Sequence, residues 1–133
     1  MSSIFSKIVD GDIPAHIVAE TTEFLAFLDV NPLVMGHVLV IPKKEIDYIF
    51  DMDDESYFGL TLFAKIVANG LKEAFPCEKV GVAVIGLEVP HVHIHLIPMN
   101  NVSDMNFSRE KLSPSQDELA EAAIKIKAAL VRD

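Results

Sequence analysis

Residues 91–97 read His-Val-His-Ile-His-Leu-Ile, an alternation of imidazole and aliphatic side chains. Successive side chains of an extended strand point to opposite faces, so this pattern places His91, His93 and His95 together on one face. The aliphatic residues between them form the other face, which is expected to anchor the strand in a core. The segment therefore predicts a β-sheet with one face packed and the other carrying three imidazoles.

Four other segments show strand-like sequence. Residues 16–20 and 24–28 flank a polar turn, and residues 37–41 follow Gly36 and end at Pro42. This arrangement predicts an antiparallel meander. Residues 79–85 are rich in β-branched side chains, and a short link at 86–90 joins them to the histidine strand at 91–98. The simplest interpretation of the second pair is a hairpin.

Two segments have helical spacing. Residues 53–75 carry an apolar stripe at helical intervals, with acidic residues in the first turn and Pro76 just past the end. After an irregular polar stretch at 99–112, the sequence Ser113-Pro114-Ser115-Gln116 predicts a capping box that opens a terminal helix. The expected fold class is α+β, with residues 1–100 as the core and residues 101–133 as a polar loop and C-terminal helix packed on the same domain.

Composition excludes several classes of protein. A chain of 133 residues fits one domain, and no apolar run is long enough to span a membrane. The formal net charge of −9 repels a polyanion such as DNA or RNA, although a local pocket can still bind a single nucleotide. Cys77 is the only cysteine, and the N-terminus lacks the pattern of a secretion signal. A cytoplasmic protein without membrane or nucleic-acid partners is expected.

The three clustered histidines leave three interpretations open. Repulsion between imidazolium charges favours at least one neutral ring near pH 7, and a neutral ring can act as a nucleophile at phosphorus. Neutral imidazoles on one face can also bind zinc, with Glu88 or His37 as further ligands, although no second cluster of metal-binding residues is visible in the sequence. The third interpretation is a purely structural triad.

Five motifs occur together in a characteristic order. They are Ile4-Phe5-Ser6-Lys7-Ile8-Val9, Ile13-Pro14-Ala15, Phe27-Leu28-Asp29-Val30-Asn31-Pro32, Gly36-His37-Val38-Leu39-Val40-Ile41-Pro42-Lys43 and the segment His91 to Leu96. In combination they resemble the histidine triad (HIT) family of nucleotide-binding hydrolases and transferases. The resemblance covers residues 2 to about 99. It implies a five-stranded antiparallel sheet with packed helices and a two-fold homodimer.

The resemblance also implies a reaction. His93 is the expected nucleophile, which attacks the α-phosphorus of a purine nucleotide conjugate and forms a nucleotidyl-histidine that water hydrolyses. His95 is expected to donate to a phosphate oxygen, while His91 and His37 hold the catalytic imidazole in its tautomer and assist proton transfer. The expected substrates are a nucleoside phosphoramidate or a dinucleoside polyphosphate, cleaved at a phosphorus–nitrogen or phosphoanhydride bond.

Nucleotide-binding residues follow from the same resemblance. Asp29 matches the carboxylate that accepts hydrogen bonds from the ribose hydroxyls. The apolar wall around the purine is expected from Phe5, Ile8, Phe27 and Val30, whose position in the family pattern outweighs the ordinary expectation that such residues belong to the core. The covalent step needs no cofactor and no metal ligands are assigned, although a divalent metal can accompany polyphosphate substrates.

One departure from the family pattern concerns the link before the first triad histidine. Family members commonly carry Gly-Gln there, and the Gln amide contacts the phosphate, whereas this chain has Gly86-Leu87-Glu88. Loss of one donor to a transition-state oxyanion typically costs about 10² to 10³ in rate, so slowed chemistry is expected. Glu88 is placed in the site, where it could meet an amine leaving group. The alternative function is a noncatalytic purine-nucleotide-binding module.

Overall fold

The computed structural model describes residues 2–132, without the side chain of Arg132. Met1, the first residue of the predicted core 1–100, and Asp133, the last residue of the predicted segment 101–133, lie outside the described residues. Five strands and three helices make up the fold. The strands are β1 (Ile17–Glu20), β2 (Phe24–Leu28), β3 (Val38–Pro42), β4 (Lys79–Ala83) and β5 (Ile94–Met99). The helices are α1 (Ile4–Val9), α2 (Asp54–Ala74) and α3 (Gln116–Arg132), and short 3-10 turns lie at Ile49–Asp51 and Val102–Met105.

The sheet is antiparallel throughout, in the order β1-β2-β3-β5-β4. The predicted meander is β1-β2-β3, and the predicted hairpin is β4-β5. Strand β5 lies between β3 and β4, where Leu39 is opposite His95 on one side and Ala83 is opposite the same histidine on the other. The expected five-stranded antiparallel α+β fold is confirmed, and the triad strand is at its interior.

The two faces of the sheet bury different clusters. One face packs against α2 and α3, and its core includes Val92, Ile94 and Leu96. The other face carries a smaller cluster around Phe5 and Phe27, with residues of α1 packed against it. Full burial of each aliphatic side chain contributes roughly 1.5 to 3 kcal/mol, so the aliphatic face of the triad strand holds the histidines firmly on the second face.

Helix α2 begins and ends close to the predicted residues. Its N-cap is Asp53, whose side chain accepts the Ser56 N–H at 2.8 Å, and the Phe75 N–H donates to the Leu71 carbonyl at the other end. Before β3, Gly36 has a φ of +90°, and a Cβ there would lie 3.0 Å from the Phe75 ring. The turn into β3 therefore needs glycine for both conformation and space. Within residues 2–132, no helix combines the length and the apolar character needed to cross a membrane.

The start of α3 differs from the prediction by two residues. The capping box is formed by Ser115 and Glu118: the Glu118 N–H donates to Ser115 Oγ at 3.1 Å, and the Ser115 N–H donates to Glu118 Oε1 at 2.9 Å. The prediction that Ser113 and Gln116 form the box was wrong because a second Ser-x-x-acid pattern overlaps it, and an ionised carboxylate accepts a backbone N–H more strongly than an amide does.

Candidate active site

A cleft of about 500 Å³ opens on the sheet face that carries α1. Its lining includes the rings of His37, His93 and His95 and the carboxyl groups of Asp29 and Glu88. These five predicted site residues are therefore brought together, from positions as far apart in sequence as 29 and 95. The volume suits a small-molecule ligand, since such pockets are typically about 300 to 1,000 Å³.

His93 has one ring nitrogen fixed by the backbone. Its Nδ1 lies 2.8 Å from the carbonyl oxygen of His91. A carbonyl can only accept, so Nδ1 carries the proton and the neutral ring keeps its lone pair on Nε2. The residue is 7% exposed and lines the cleft. This is the tautomer that a nucleophilic imidazole requires.

His37 and His95 form a directional hydrogen-bond relay. The Leu33 N–H donates to His37 Nδ1 at 3.1 Å, so the neutral ring carries its proton on Nε2. That nitrogen lies 2.9 Å from His95 Nδ1, which must accept, and the His95 proton is therefore on Nε2. Burial lowers the pKa of His37 to about 3 and that of His95 to about 4, which keeps both rings neutral near pH 7. His95 is thus prepared to donate a hydrogen bond from Nε2.

His91 is fully buried and lies beneath the cleft. Its Nε2 donates to the Pro42 carbonyl at 2.8 Å, and its Nδ1 accepts from the Ser3 hydroxyl at 2.8 Å. Glu45 then accepts from the Ser3 N–H, at 2.6 Å. Burial lowers the pKa of His91, which favours the neutral ring.

The orienting contacts differ in part from the predicted ones. Tautomer control of His93 was predicted from the rings of His91 and His37, whereas the group in contact with His93 Nδ1 is the His91 carbonyl. The His37 ring contacts His95 instead. The reason is the strand geometry: a ring two residues along the same face is offset from its neighbour, while the carbonyl of residue 91 lies within reach of the His93 ring.

Asp29 follows β2 and sits at the rim of the cleft. Its Oδ1 accepts the Asn31 N–H at 2.9 Å, and its Oδ2 lies 3.8 Å from His37 Nε2. Burial raises the pKa of this carboxyl above its usual 3.8, the Asn31 hydrogen bond acting in the opposite direction. One carboxylate oxygen is thus held by the loop, and the other faces the histidines.

The four predicted apolar wall residues occupy different places. Phe5 lines the cleft and packs edge-on against the His93 ring, with ring centroids 4.9 Å apart. Phe27 is buried beneath it, 5.6 Å away centroid to centroid. Ile8 is partly buried beside that cluster, and Val30 is half-exposed. Phe5 is the one of the four that lines the cleft directly.

The link between β4 and β5 forms one border of the cleft. Leu87 and Glu88 both line it, and the Leu87 side chain is 90% exposed. An exposed leucine has no polar atom with which to meet a phosphate, so the donor expected from the family pattern is missing at this position.

Two lining residues come from a part of the sequence in which no site residue was predicted. Phe107 and Lys111 come from the stretch after β5 that sequence reasoning treated only as an irregular polar loop. The Phe107 ring lies 4.8 Å from the His95 ring. A signal was present, because Phe107 is the single aromatic residue after Phe75 and it stands in an otherwise polar segment.

The metal interpretation can be tested against the hydrogen bonds. Asp29, His37 and His95 offer ligand atoms that lie within 4.8 Å of one another. A metal on His37 Nε2 would need the lone pair there and a proton on Nδ1, but Nδ1 already accepts the Leu33 N–H. His95 Nδ1 is likewise occupied as an acceptor. In this hydrogen-bonded arrangement both Nδ1 lone pairs are engaged, so the two histidines would have to exchange hydrogen-bond partners to hold a metal ion here.

Comparison with known proteins gives consistent matches. A family model described as HIT domain matches residues 10–102. An uncharacterized HIT-like protein of Borreliella burgdorferi is 34% identical over 131 residues, covering 92% of this chain and 94% of its own. The adenosine 5'-monophosphoramidase of Schizosaccharomyces pombe is 40% identical over 102 residues, covering 76% of this chain and 77% of its own. A Hit-like protein from Bartonella henselae has a structure with a TM-score of 0.83, 32% identity and 96% coverage of both chains.

The fold and the cleft define a class of small α+β proteins whose antiparallel sheet carries alternating histidines, two of which border a candidate ligand site. The HIT domain match over residues 10–102 takes in both the sheet and the triad. The chain belongs to the HIT family.

Proposed function

We propose that the protein is a hydrolase or nucleotidyl transferase that cleaves at the α-phosphate of a purine nucleotide conjugate. The observation that carries the proposal is the state of His93: its Nδ1 donates to a backbone carbonyl, and its ring borders a cleft of nucleotide size. A monophosphoramidase among the relatives supports a nucleoside phosphoramidate as the first substrate to test. A dinucleoside polyphosphate is the second.

The proposed reaction has two steps. His93 Nε2 attacks the α-phosphorus and the phosphorus–nitrogen bond breaks, so the amine leaves with the bonding electrons and takes up a proton. His95 donates from Nε2 to a phosphate oxygen, where negative charge accumulates. Water then attacks the phosphorus of the nucleotidyl-histidine, His93 leaves, and the nucleoside monophosphate is released. Glu88 is an exposed carboxyl group on the same cleft and suits a cationic amine leaving group.

Nucleotide recognition is assigned to Asp29 and the apolar residues. Asp29 accepts from the ribose hydroxyls, and Phe5 contacts the bound nucleotide with Ile8, Phe27 and Val30 supporting the base side. No cofactor is proposed for the covalent step, and a divalent metal is expected only together with a polyphosphate substrate. A cytoplasmic location is part of the proposal, since the lone Cys77 forms no internal disulfide.

The test is a comparison of two proteins by mass spectrometry. Wild-type protein mixed with adenosine phosphoramidate should form AMP, and His93→Ala should lose at least about 10³-fold in rate, because removal of a nucleophile commonly costs more than removal of one oxyanion donor. Equal rates in the two proteins would overturn the proposal.

A second candidate function is favoured by Leu87. If the missing donor at this position has abolished turnover, the protein is a noncatalytic binder of purine nucleotides. Calorimetry separates the two functions, because tight AMP binding without turnover of any conjugate would identify the binder. Leu87→Gln should then restore hydrolysis by roughly 10² to 10³, the usual contribution of one oxyanion donor.

A homodimer is also proposed. Helix α2 exposes Phe58, Leu62 and Ile66, which are 64%, 59% and 51% accessible and follow one another at intervals of four residues. Such an apolar stripe is typical of an association surface. Light scattering should give twice the chain mass of 14.7 kDa, and a value near 14.7 kDa would reject the dimer.

A further inference from the structure

The segment after β5 folds back over the loop that holds Asp29 and His37. The Leu112 N–H donates to the Pro32 carbonyl at 2.9 Å, and the Arg109 guanidinium donates to the Leu33 carbonyl. Most of this segment lies beyond residue 102, where the HIT domain match ends. It therefore lies largely outside the residues that the HIT domain model matches.

The same segment places an ammonium group at the cleft. Lys111 lines the cleft, and its Nζ donates to the Phe107 carbonyl at 2.5 Å. The Phe107 ring in turn packs against His95 and, at 6.4 Å, against His37. The carbonyl thus tethers the lysine beside the relay, and an ammonium has three donors, of which this contact uses one.

Apart from this lysine, the charges around the cleft disfavour the binding of an anion. Of the residues that line it within the described part of the chain, Asp29 and Glu88 are acidic and Lys111 is the one lysine or arginine. Burial lowers the pKa values of His37 and His95 far below 7, so these rings add no positive charge. The chain as a whole carries −9. A nucleotide phosphate entering the cleft therefore meets one permanent cation.

We propose that Lys111 binds the phosphate of the nucleotide and supplies the donor that Leu87 does not offer. This inference rests on the proposed function, because it requires a nucleotide in the cleft. A lysine in this place also explains how a strongly acidic chain can hold an anionic ligand, since a nearby unit charge acts over a few ångströms while the net field is screened beyond about 10 Å.

The test compares AMP with adenosine, which lacks the phosphate. Lys111→Met removes the charge and keeps the aliphatic stem, Lys111→Arg keeps the charge, and Lys65→Met is a control on α2, outside the cleft. Dissociation constants for both ligands are measured by calorimetry at low salt for the wild-type protein and the three variants. Thermal unfolding confirms that each variant is folded, as expected for substitutions at exposed positions.

The expected result is that Lys111→Met weakens AMP binding about tenfold or more, the size of a lost charge-assisted hydrogen bond. Adenosine binding should be unchanged, and both Lys111→Arg and Lys65→Met should bind AMP within about threefold of wild type. Two results would overturn the role of Lys111 while the proposed function stands. In the first, Lys111→Met binds AMP as tightly as wild type does. In the second, the substitution weakens the binding of adenosine as much as the binding of AMP. If wild type binds neither ligand, both proposals fail.

Discussion

Backbone groups determine the tautomers of the cleft histidines, directly for His37 and His93 and through the His37 ring for His95. The Leu33 N–H and the His91 carbonyl are unambiguous hydrogen-bonding groups, and they determine which nitrogen of His37, His95 and His93 carries a proton. The Nε2 atoms of two neighbouring rings are therefore in opposite states, since His93 keeps a lone pair on Nε2 and His95 keeps a proton there. Among residues 2–132, no buried side-chain nitrogen or oxygen lacks a partner, so the arrangement costs no unsatisfied polar group.

The two hydrogen bonds of the Ser3 hydroxyl group can be tested by substitution. This hydroxyl group both caps α1, by accepting the Ser6 N–H at 3.0 Å, and donates to the buried His91. Ser3→Ala removes a helix cap and leaves His91 Nδ1 unsatisfied, which should lower the free energy of unfolding by about 2 kcal/mol. Urea unfolding at pH 7 measures the change. The exposed neighbour provides the control, because Ser2→Ala should stay within about 0.5 kcal/mol of wild type; equal effects of the two substitutions would contradict the account.

At the scale of elements, long periodic patterns were predictable and short or long-range features were not. Helix α2 and strand β2 match their predicted positions because hydrophobic periodicity and turn residues agree there. Helix α1 was missed because its six residues make less than two turns, too short for a periodicity to be recognised. Its stability comes from the local Ser3 cap and from the packing of Phe5, and the packing is a tertiary feature.

The site shows the same division between local and long-range information. The common face of the three histidines was predicted from the alternation of residues 91–97. Asp29 and His37 were predicted from the resemblance to the HIT family. In contrast, β5 forms its ladder only from Ile94 onward, because the Val92 N–H donates to the Ile46 carbonyl outside the sheet. The position of Lys111 at the cleft depends on the contact between Arg109 and Leu33, which are 76 residues apart in the chain. No local pattern in the sequence encodes such a contact.

The corrected start of α3 can be tested directly. Ser115→Ala should destabilise the protein by about 1 kcal/mol, because it removes the acceptor for the Glu118 N–H. Ser113→Ala is the matched control and should have little effect, since the helix begins at Gln116. Thermal unfolding of the two variants provides the comparison, and a larger loss for Ser113→Ala would restore the original capping assignment.

For the molecule as a whole, the buried histidines link stability to pH. The unfolded chain binds protons on these rings below pH 6.5, whereas the folded chain keeps His37 and His95 neutral down to about pH 3 and 4. Because the unfolded state then binds more protons, the stability is complete above pH 6.5 and falls as the pH is lowered through that value. The raised pKa of Asp29 acts in the opposite sense, because the folded carboxyl group binds its proton at a higher pH than the unfolded one, over a window that extends upward from pH 3.8.

We expect the free energy of unfolding to drop by roughly 1 kcal/mol for each of these histidines between pH 7 and pH 5.5. His37→Gln should reduce that drop by about the contribution of one ring, whatever its effect at pH 7. Urea titrations at the two pH values, on both proteins, give the four free energies required. A stability that stays constant or rises on acidification would show that the rings are not buried in the neutral form.

The proposed function requires that His93 form a covalent bond to the α-phosphorus of a nucleotide. The most direct measurement is peptide mass spectrometry of protein that has been denatured in alkali during turnover of adenosine phosphoramidate, since a phosphorus–nitrogen bond to histidine is labile in acid. We expect an added adenylate on the peptide that contains residues 91–95, with fragmentation locating it at His93, and no such adduct in His93→Ala. An adenylate on a different residue, or full turnover by His93→Ala without any adduct, would contradict the proposal.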